Sequence, residues 1–346
     1  MGEVGRNHRI VATATPLRLS FVGGGTDIPD FYLEHGGAVV STTLDKYIYV
    51  TVKHHGPPFA ERFRINYSKA ENVDRIDDIE NGIVRECLRL LDMDMPLFIS
   101  TIADLPGSSG LGSSSSFAVG LLYALHLLRG EDVSAGQLAE EASHVELCML
   151  KGPIGKQDQY AAAFGGLNHI AFDQSGRVHI DPVWLSGDDR RALFGHSLLF
   201  WTGIQRDANQ ILADQQRGIS SRLAELHAMR DMANACRDML LRTFDPLRFG
   251  ALLHQGWETK QRLSTLISNE RIDHWYRAAL AAGALGGKMA GAGGGGFLYL
   301  VVPPGRQAEV RHTLREMHEV PVAYEPRGAR KLFTSIAYRT LDFAQT

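Results

Sequence analysis

Cysteine is scarce in this chain: Cys87, Cys148 and Cys236 are the only three in 346 residues. They are odd in number and widely spaced, with no Cys-x-x-Cys pair and no histidine at ligand spacing. This excludes a disulfide framework and a structural zinc site, and they read as buried thiols of a reducing compartment. Long apolar runs are also lacking. The longest helical one, Phe117 to Leu128, is far too short to span a bilayer. Met1 to Thr15 carries no apolar stretch of signal-peptide type, and Arg6 stands where a myristoylation signal needs Ser or Thr. A cytoplasmic protein with no membrane partner is expected. Neither sign of charge predominates: 36 Lys and Arg against 39 Asp and Glu leave a net charge of −3. With no broad cationic field, nucleic acid is not an expected partner, and any anion must be bound locally. Homo-oligomerisation is left open.

Glycine and serine, by contrast, are concentrated in a few places. Asp104 to Gly112 reads Asp-Leu-Pro-Gly-Ser-Ser-Gly-Leu-Gly and runs through Ser113, Ser114, Ser115 and Ser116 into the apolar segment Phe117 to Leu128. Glycines let a backbone take positive φ and approach a ligand, serines supply hydroxyls and helix caps, and the apolar run predicts a buried helix. A loop of that kind at a helix start is an anion cradle: free N–H groups and the helix dipole face the same point. A flexible Gly/Ser linker is the plainer alternative, but this stretch is held between the strand-like Leu97 to Ile102 and a buried helix. It is not a Walker A loop, since no lysine follows Gly112. Nor does it have the placement of a dinucleotide fingerprint.

Two further glycine runs flank it. Leu17 to Val22 reads as a strand, following Ile10 to Ala14 across Pro16, and ends in Gly23-Gly24-Gly25-Thr26-Asp27. Asp27 either accepts hydrogen bonds from ligand hydroxyls or caps the segment that begins at Ile28. Arg18, inside an apolar strand, requires an edge position or an anionic partner. Near the other end, Gly286 to Gly296 precedes the apolar strand Phe297 to Val302. Ala38 to Lys53 predicts a hairpin, with Asp45-Lys46 as its turn or a paired bulge. Phe63 to Tyr67 reads as a strand and Asn81 to Leu91 as a helix. Ser134 to Leu150 predicts a helix on which Glu146, among apolar neighbours, calls for a cation. Asp158 falls in the first turn of a short helix, where the dipole alone favours a carboxylate. Leu167 to Phe172 and Val178 to Trp184 predict a hairpin. The composition turns charged at Ser186 to Arg191, which divides the chain into 1–187 and 188–346. The second part predicts a strand at His196 to Thr202 and helices over Ala208 to Leu240, Leu247 to Ile267 and Asp273 to Ala282. A helix over Gly305 to Met317 and a strand over Val320 to Tyr324, with Leu332 to Ile336, complete an α+β half.

Three separated glycine-rich segments in this order, Pro16 to Asp27, Pro106 to Ser116 and Lys288 to Gly296, resemble the GHMP kinases over nearly the whole chain. The resemblance implies an α+β two-domain fold: an ATP-binding N-terminal domain like ribosomal protein S5 domain 2 and a ferredoxin-like C-terminal domain. It implies ATP held by Pro106, Gly107, Ser108, Ser109, Gly110, Leu111, Gly112, Ser113 and Ser114, and Mg²⁺ held by Ser114 and Glu146. Asp158 falls at the family's catalytic aspartate, and Arg18 at an arginine that orients it. Gly24, Gly25, Thr26, Asp27, Gly291, Gly293, Gly294 and Gly295 would approach the acceptor. Gly24 and Gly25 stand where galactokinases carry the Glu and His that bind galactose, which argues against galactose. The Gly-Gly-Gly-Thr-Asp form, with Lys156 to Gly166, is similar to the branch acting on D-glycero-D-manno-heptose 7-phosphate. The implied reaction is phosphorylation of the anomeric hydroxyl of that sugar phosphate. The alternatives are another sugar 1-kinase, such as one for fucose, or a non-catalytic sugar sensor. Lys46, Lys156, Arg206 and Lys288 are the candidates to meet the substrate's own phosphate.

Overall fold

The computed structural model describes residues 8–56, 58–205 and 208–336; Arg206 lies outside the described residues. The fold is organised on two long strands, β1 (His8–Val22) and β2 (Gly37–His54), with the short helix α1 (Pro29–His35) between them. β1 passes straight through Pro16, which sits beside a register shift, a position where its missing N–H is tolerated. The hairpin expected over Ala38 to Lys53 is not formed. The pairing instead steps from Pro16↔Tyr47 to Arg18↔Thr43, so Leu44, Asp45 and Lys46 bulge opposite Leu17. The polar pair marks a bulge rather than a turn, because β1 continues past it on the other side of the ladder.

β3 (Phe63–Asn66), β4 (Ala70–Val73) and β5 (Leu97–Ala103) follow, with α2 (Gly82–Leu90) between β4 and β5. After α3 (Ser113–Leu128), α4 (Ala135–Ser143) and α5 (Gln157–Phe164) comes the expected hairpin, β6 (Leu167–Phe172) and β7 (Val178–Pro182). β6 pairs with the first half of β2 and β5 with the second, so one strand carries two branches of an eight-stranded sheet. α3 lies against β1 and β2 and is buried almost all round. Gly120 lets it approach: a Cβ there would meet Thr15 Oγ1 at 2.6 Å.

The second half opens with α6 (Gly187–Gly195), which the charged composition did not announce, and β8 (Ser197–Trp201). The single helical region expected over 208–240 is broken at Gly218 into α7 (Ala208–Arg217), one 3₁₀ turn, and α8 (Leu223–Leu240). α9 (Pro246–Gln261), α10 (Glu270–Ala281), β9 (Gly286–Met289), β10 (Phe297–Val301), α11 (Gln307–Thr313) and β11 (His318–Glu319) complete it. Its sheet is antiparallel in the order β11-β8-β10-β9. Helices on a four-stranded sheet beside helices on a larger mixed sheet make the α+β arrangement expected.

Val320 to Tyr324 is not a strand, apart from one bridge between Tyr324 and Leu44. The chain then returns to the first sheet, where β12 (Arg330–Ile336) pairs with β1. On the way it grips the end of α5: Ala329 N–H donates to Ala162 O at 3.0 Å and Gly166 N–H to Glu325 O at 3.1 Å. Glu325 is buried there against Tyr47, Arg327 and Arg330.

Of the three thiols, Cys87 and Cys236 are buried and free, as expected, but Cys148 is exposed. No helix among the described residues is long and apolar enough to cross a membrane.

Candidate active site

The loop before α3 takes its shape from left-handed residues: Ser108, Gly110 and Gly112 have φ of 56°, 86° and 74°. Gly112 needs to be glycine for a second reason. A Cβ on it would stand 3.1 Å from Arg18 Cγ and 3.3 Å from Asp158 Oδ2. The helix starts at Ser113, earlier than its apolar run, so the serines form its first turn and their N–H groups point into the loop. The loop is tied to β1 by Arg18 N–H donating to Leu111 O at 3.0 Å.

Arg18 and Asp158 meet across this loop. The guanidinium donates from Nε to Oδ1 and from Nη2 to Oδ2, each at 2.6 Å, and from Nη1 to Gly110 O at 2.6 Å. Arg18 is 4% exposed and the Asp158 side chain 22%. The carboxylate is thus the more open of the pair, although both line the cleft. Each carboxylate oxygen keeps a lone pair and the guanidinium keeps two N–H groups beyond those bonds.

Glu146 is 4% exposed. α4 does not run on to Leu150 as an α-helix; a π-helical turn over His144–Met149 widens it and turns Glu146 inward. Such turns recur at functional sites. Ser114 Oγ donates to its Oε1 at 2.6 Å and Gln159 Nε2 to its Oε2 at 2.7 Å. Burial pushes its pKa up, against those hydrogen bonds, and Asp158 adds to the rise. No Lys or Arg pairs with it among the described residues. A buried carboxylate and a serine hydroxyl touching each other, with only neutral donors around, would fit a hard divalent cation.

On the opposite wall, Asp27 is buried and its carboxylate is occupied. Oδ1 accepts from Gly25 N–H at 2.9 Å and Gln157 Nε2 at 3.1 Å, and Oδ2 from Gln157 N–H at 3.2 Å. Burial raises its pKa, with Asp158 adding to the effect. Lys288 is buried with Nζ donating to the carbonyls of Ser20 at 2.8 Å and Phe21 at 3.1 Å. Burial, with Lys260 and Arg18 nearby, pushes its pKa well below the usual lysine range.

One cleft is lined by Arg18, Gly24, Gly25, Asp27, Ser108, Gly110, Gly112, Ser113, Ser114, Glu146, Asp158 and Gly291, all sequence candidates, together with Lys288. Other candidates are elsewhere. Pro106 and Gly107 are exposed short of it, and Leu111 and Ser109 are buried beneath it. Thr26 is buried with its hydroxyl on Gly23 O and Ala38 O, holding the turn. Of the candidates in the third glycine run, only Gly291 lines the cleft, where a Cβ would meet Gly110 Cα at 2.6 Å; Gly296 also abuts the phosphate loop, at Ser109, but beneath the cleft. Gly293 and Gly294 lie against Ile267 and Gly295 against Ile204, so they close protein backbone on itself and do not line the cleft. Lys46 pairs with Asp45 on the bulge and Lys156 with Glu140, and neither side chain lines the cleft. Sequence reasoning missed Ser20, Gln157, Gln215 and Lys260, which also line it. Lys260 closes the last turn of α9 and donates to Gly291 O. A lysine at a helix end reads as solvated, so only packing could have exposed it.

The GHMP kinases N terminal domain matches residues 81–166 and the GHMP kinases C terminal domain residues 239–320. The chain is 30% identical to D-glycero-alpha-D-manno-heptose 7-phosphate kinase of Campylobacter jejuni, over 89% of this chain and 94% of that one. It is 25% identical to the Bacteroides fragilis L-fucokinase/L-fucose-1-P guanylyltransferase over 89% of its own length, spanning 36% of that longer protein. Among solved structures, a D-glycero-D-manno-heptose 1-phosphate kinase from Bacteriodes thetaiotaomicron superposes with a TM-score of 0.76 at 26% identity, covering 93% of this chain and 99% of that one.

Proposed function

We propose, from the premise that this chain belongs to the GHMP kinases and is a sugar kinase, that it transfers the γ-phosphoryl group of ATP to the anomeric hydroxyl of D-glycero-D-manno-heptose 7-phosphate. The product, a 1,7-bisphosphate, suits the making of nucleotide-activated heptose for surface glycans. The observation that carries the reading is the Arg18–Asp158 pair, set between a phosphate-type loop and a glycine turn that leaves room for an acceptor.

Phosphoryl transfer needs an in-line nucleophile and compensation of the charge spread over the transferring oxygens. In this reading the amides of Gly110, Gly112 and Ser113 hold phosphate oxygens at the positive end of α3. Asp158, steered by Arg18, accepts the proton of the anomeric hydroxyl as its oxygen bonds to phosphorus and the bond to ADP breaks. A positioned base of that kind contributes on the order of 10²- to 10⁴-fold in rate. The two N–H groups that Arg18 keeps face the charge that develops beside Asp158. Ser114 and Glu146 would hold Mg²⁺, whose positive charge would offset the charge of the phosphates. The phosphate already on the acceptor needs a cation of its own. Lys260 supports that role, since it lines the cleft beside Gly291, whereas Lys288 is turned to the carbonyls of β1.

ADP release, measured over heptose 7-phosphate, heptose 1-phosphate, unphosphorylated heptose and L-fucose, with ³¹P NMR of the product, tests the reading. The expected result is turnover of the 7-phosphate and a new anomeric phosphate resonance. Preference for L-fucose would replace the substrate, and ATP binding without turnover of any sugar would leave a sensor.

A further inference from the structure

Three buried polar atoms in this cleft have no hydrogen-bond partner among the described residues: Ser20 Oγ, Gln157 Oε1 and Gln215 Nε2. Natural proteins seldom leave such atoms unsatisfied, and an orphan that lines a cleft is a contact held for a ligand. Two of the three converge on one glycine. A Cβ on Gly24 would stand 3.4 Å from Gln157 Nε2, 3.7 Å from Ser20 Oγ and 3.9 Å from Gln157 Oε1, ordinary contact distances, so both side chains pack beside that glycine.

The Gln157 amide has one orientation only. Its NH₂ group must face Asp27, a pure acceptor when ionised, which fixes the carbonyl oxygen on the other side. Asp27 is already engaged, accepting from two backbone N–H groups and this amide, three of the roughly four bonds its oxygens can take. Gln157 and Asp158 both line the cleft at the start of α5, so the amide and the candidate base share one site.

We propose that Gln157 Oε1, assisted by Ser20 Oγ, is the specificity-determining contact for a ring hydroxyl next to the one phosphorylated, and that Asp27 is the positioning residue that sets the amide. The bare Gly24 leaves the acceptor room to reach this pair. The inference rests on reading the cleft as a sugar site, but it does not depend on which sugar is taken.

The test is a cycle between enzyme and substrate. kcat/KM is measured for the best acceptor and for its analogues lacking one ring hydroxyl each, with wild type, Gln157→Met and Ser20→Ala. One deoxy analogue should lower wild-type kcat/KM about 10- to 100-fold. Gln157→Met should lower it by a similar factor, and the two losses should not multiply. Asp27→Asn, which frees the amide to turn over, should shrink the same discrimination without abolishing ATP binding. If Gln157→Met discriminates every deoxy analogue as wild type does, the contact is refuted. Should Gln157→Met fail to fold by circular dichroism, Ser20→Ala decides by the same criterion. If L-fucose proves to be the acceptor, the heptose reading falls, and the cycle is run with 2-deoxy-L-fucose with the same two outcomes.

Discussion

Asp158→Asn separates chemistry from architecture, because the carboxylate serves both. Its two oxygens accept from Nε and Nη2 of Arg18 at 2.6 Å. An amide offers one oxygen to one of those donors and sets its NH₂ against the other, so one bond becomes a donor–donor contact. Breaking a buried ion pair costs about 3–5 kcal/mol. Here one amide bond survives and the Asp158 side chain is partly open to water, so about 1–3 kcal/mol of unfolding free energy should be lost. Loss of the base should slow turnover about 10²- to 10⁴-fold, or about 3–5 kcal/mol of barrier. Urea unfolding reads the first quantity, single-turnover ADP formation the second, and calorimetric titration with ATP checks that the phosphate loop is intact. Arg18→Met combined with Asp158→Asn removes the buried unpaired charge, so it should recover part of the stability and none of the activity. A single variant within about fivefold of the wild-type kcat would refute the assignment of Asp158 as the base.

Glu146→Gln should raise the Mg²⁺ concentration for half-maximal activity at least about tenfold. In metal-free protein at neutral pH it should be no less stable than wild type. The folded pKa of Glu146 lies above 4.5, so the folded form binds more protons in that window. Stability therefore falls as pH rises through the window, and the advantage of Gln should vanish on acidification toward 4.5, as thermal melts at several pH values will show. His126 lies buried between Glu131 at 2.6 Å and Glu141 at 2.7 Å. Burial opposes its protonation, but the two carboxylates outweigh it and raise the pKa above 6.5. Its contribution is then complete below 6.5 and fades as pH climbs through the folded value, so His126→Gln should cost about 1–2 kcal/mol at pH 6 and less at pH 9 in urea melts. Gly291→Ala places a methyl 2.6 Å from Gly110 Cα at a φ of 65°, which must part the two glycine loops. A displacement near 1 Å is worth about 10²-fold in kcat, with secondary structure unchanged by circular dichroism.

The parts of this site legible in sequence are those where a residue is out of place for its local pattern. Arg18 in an apolar strand demanded an anion and meets Asp158, while Glu146 among apolar neighbours called for a cation and meets only the neutral donors Ser114 and Gln159 among the described residues. The serines beyond Gly112 announced a helix start. Gln157 and Lys260 gave no such signal, since a glutamine or lysine at a helix end is unremarkable until the fold shows what it faces. The third glycine run was over-read: glycine density reports close backbone approach, and at Gly293, Gly294 and Gly295 the approaching partner is the protein itself. The Ala38 to Lys53 stretch misled because a polar pair between apolar runs is written alike for a turn and for a bulge. The pairing of β12 with β1 joins the two ends of the described chain, which no local pattern encodes.

That last pairing has a bearing on how the protein is made. The helix that presents Asp158 is translated well before the segment that grips its far end, an interval on the order of 10 s at ordinary rates of ribosomal elongation. Until then the outer rim of β1 is an open template for other nascent chains. A chain cut short after β11 would keep every glycine loop but leave α5 without the contacts that hold its far end.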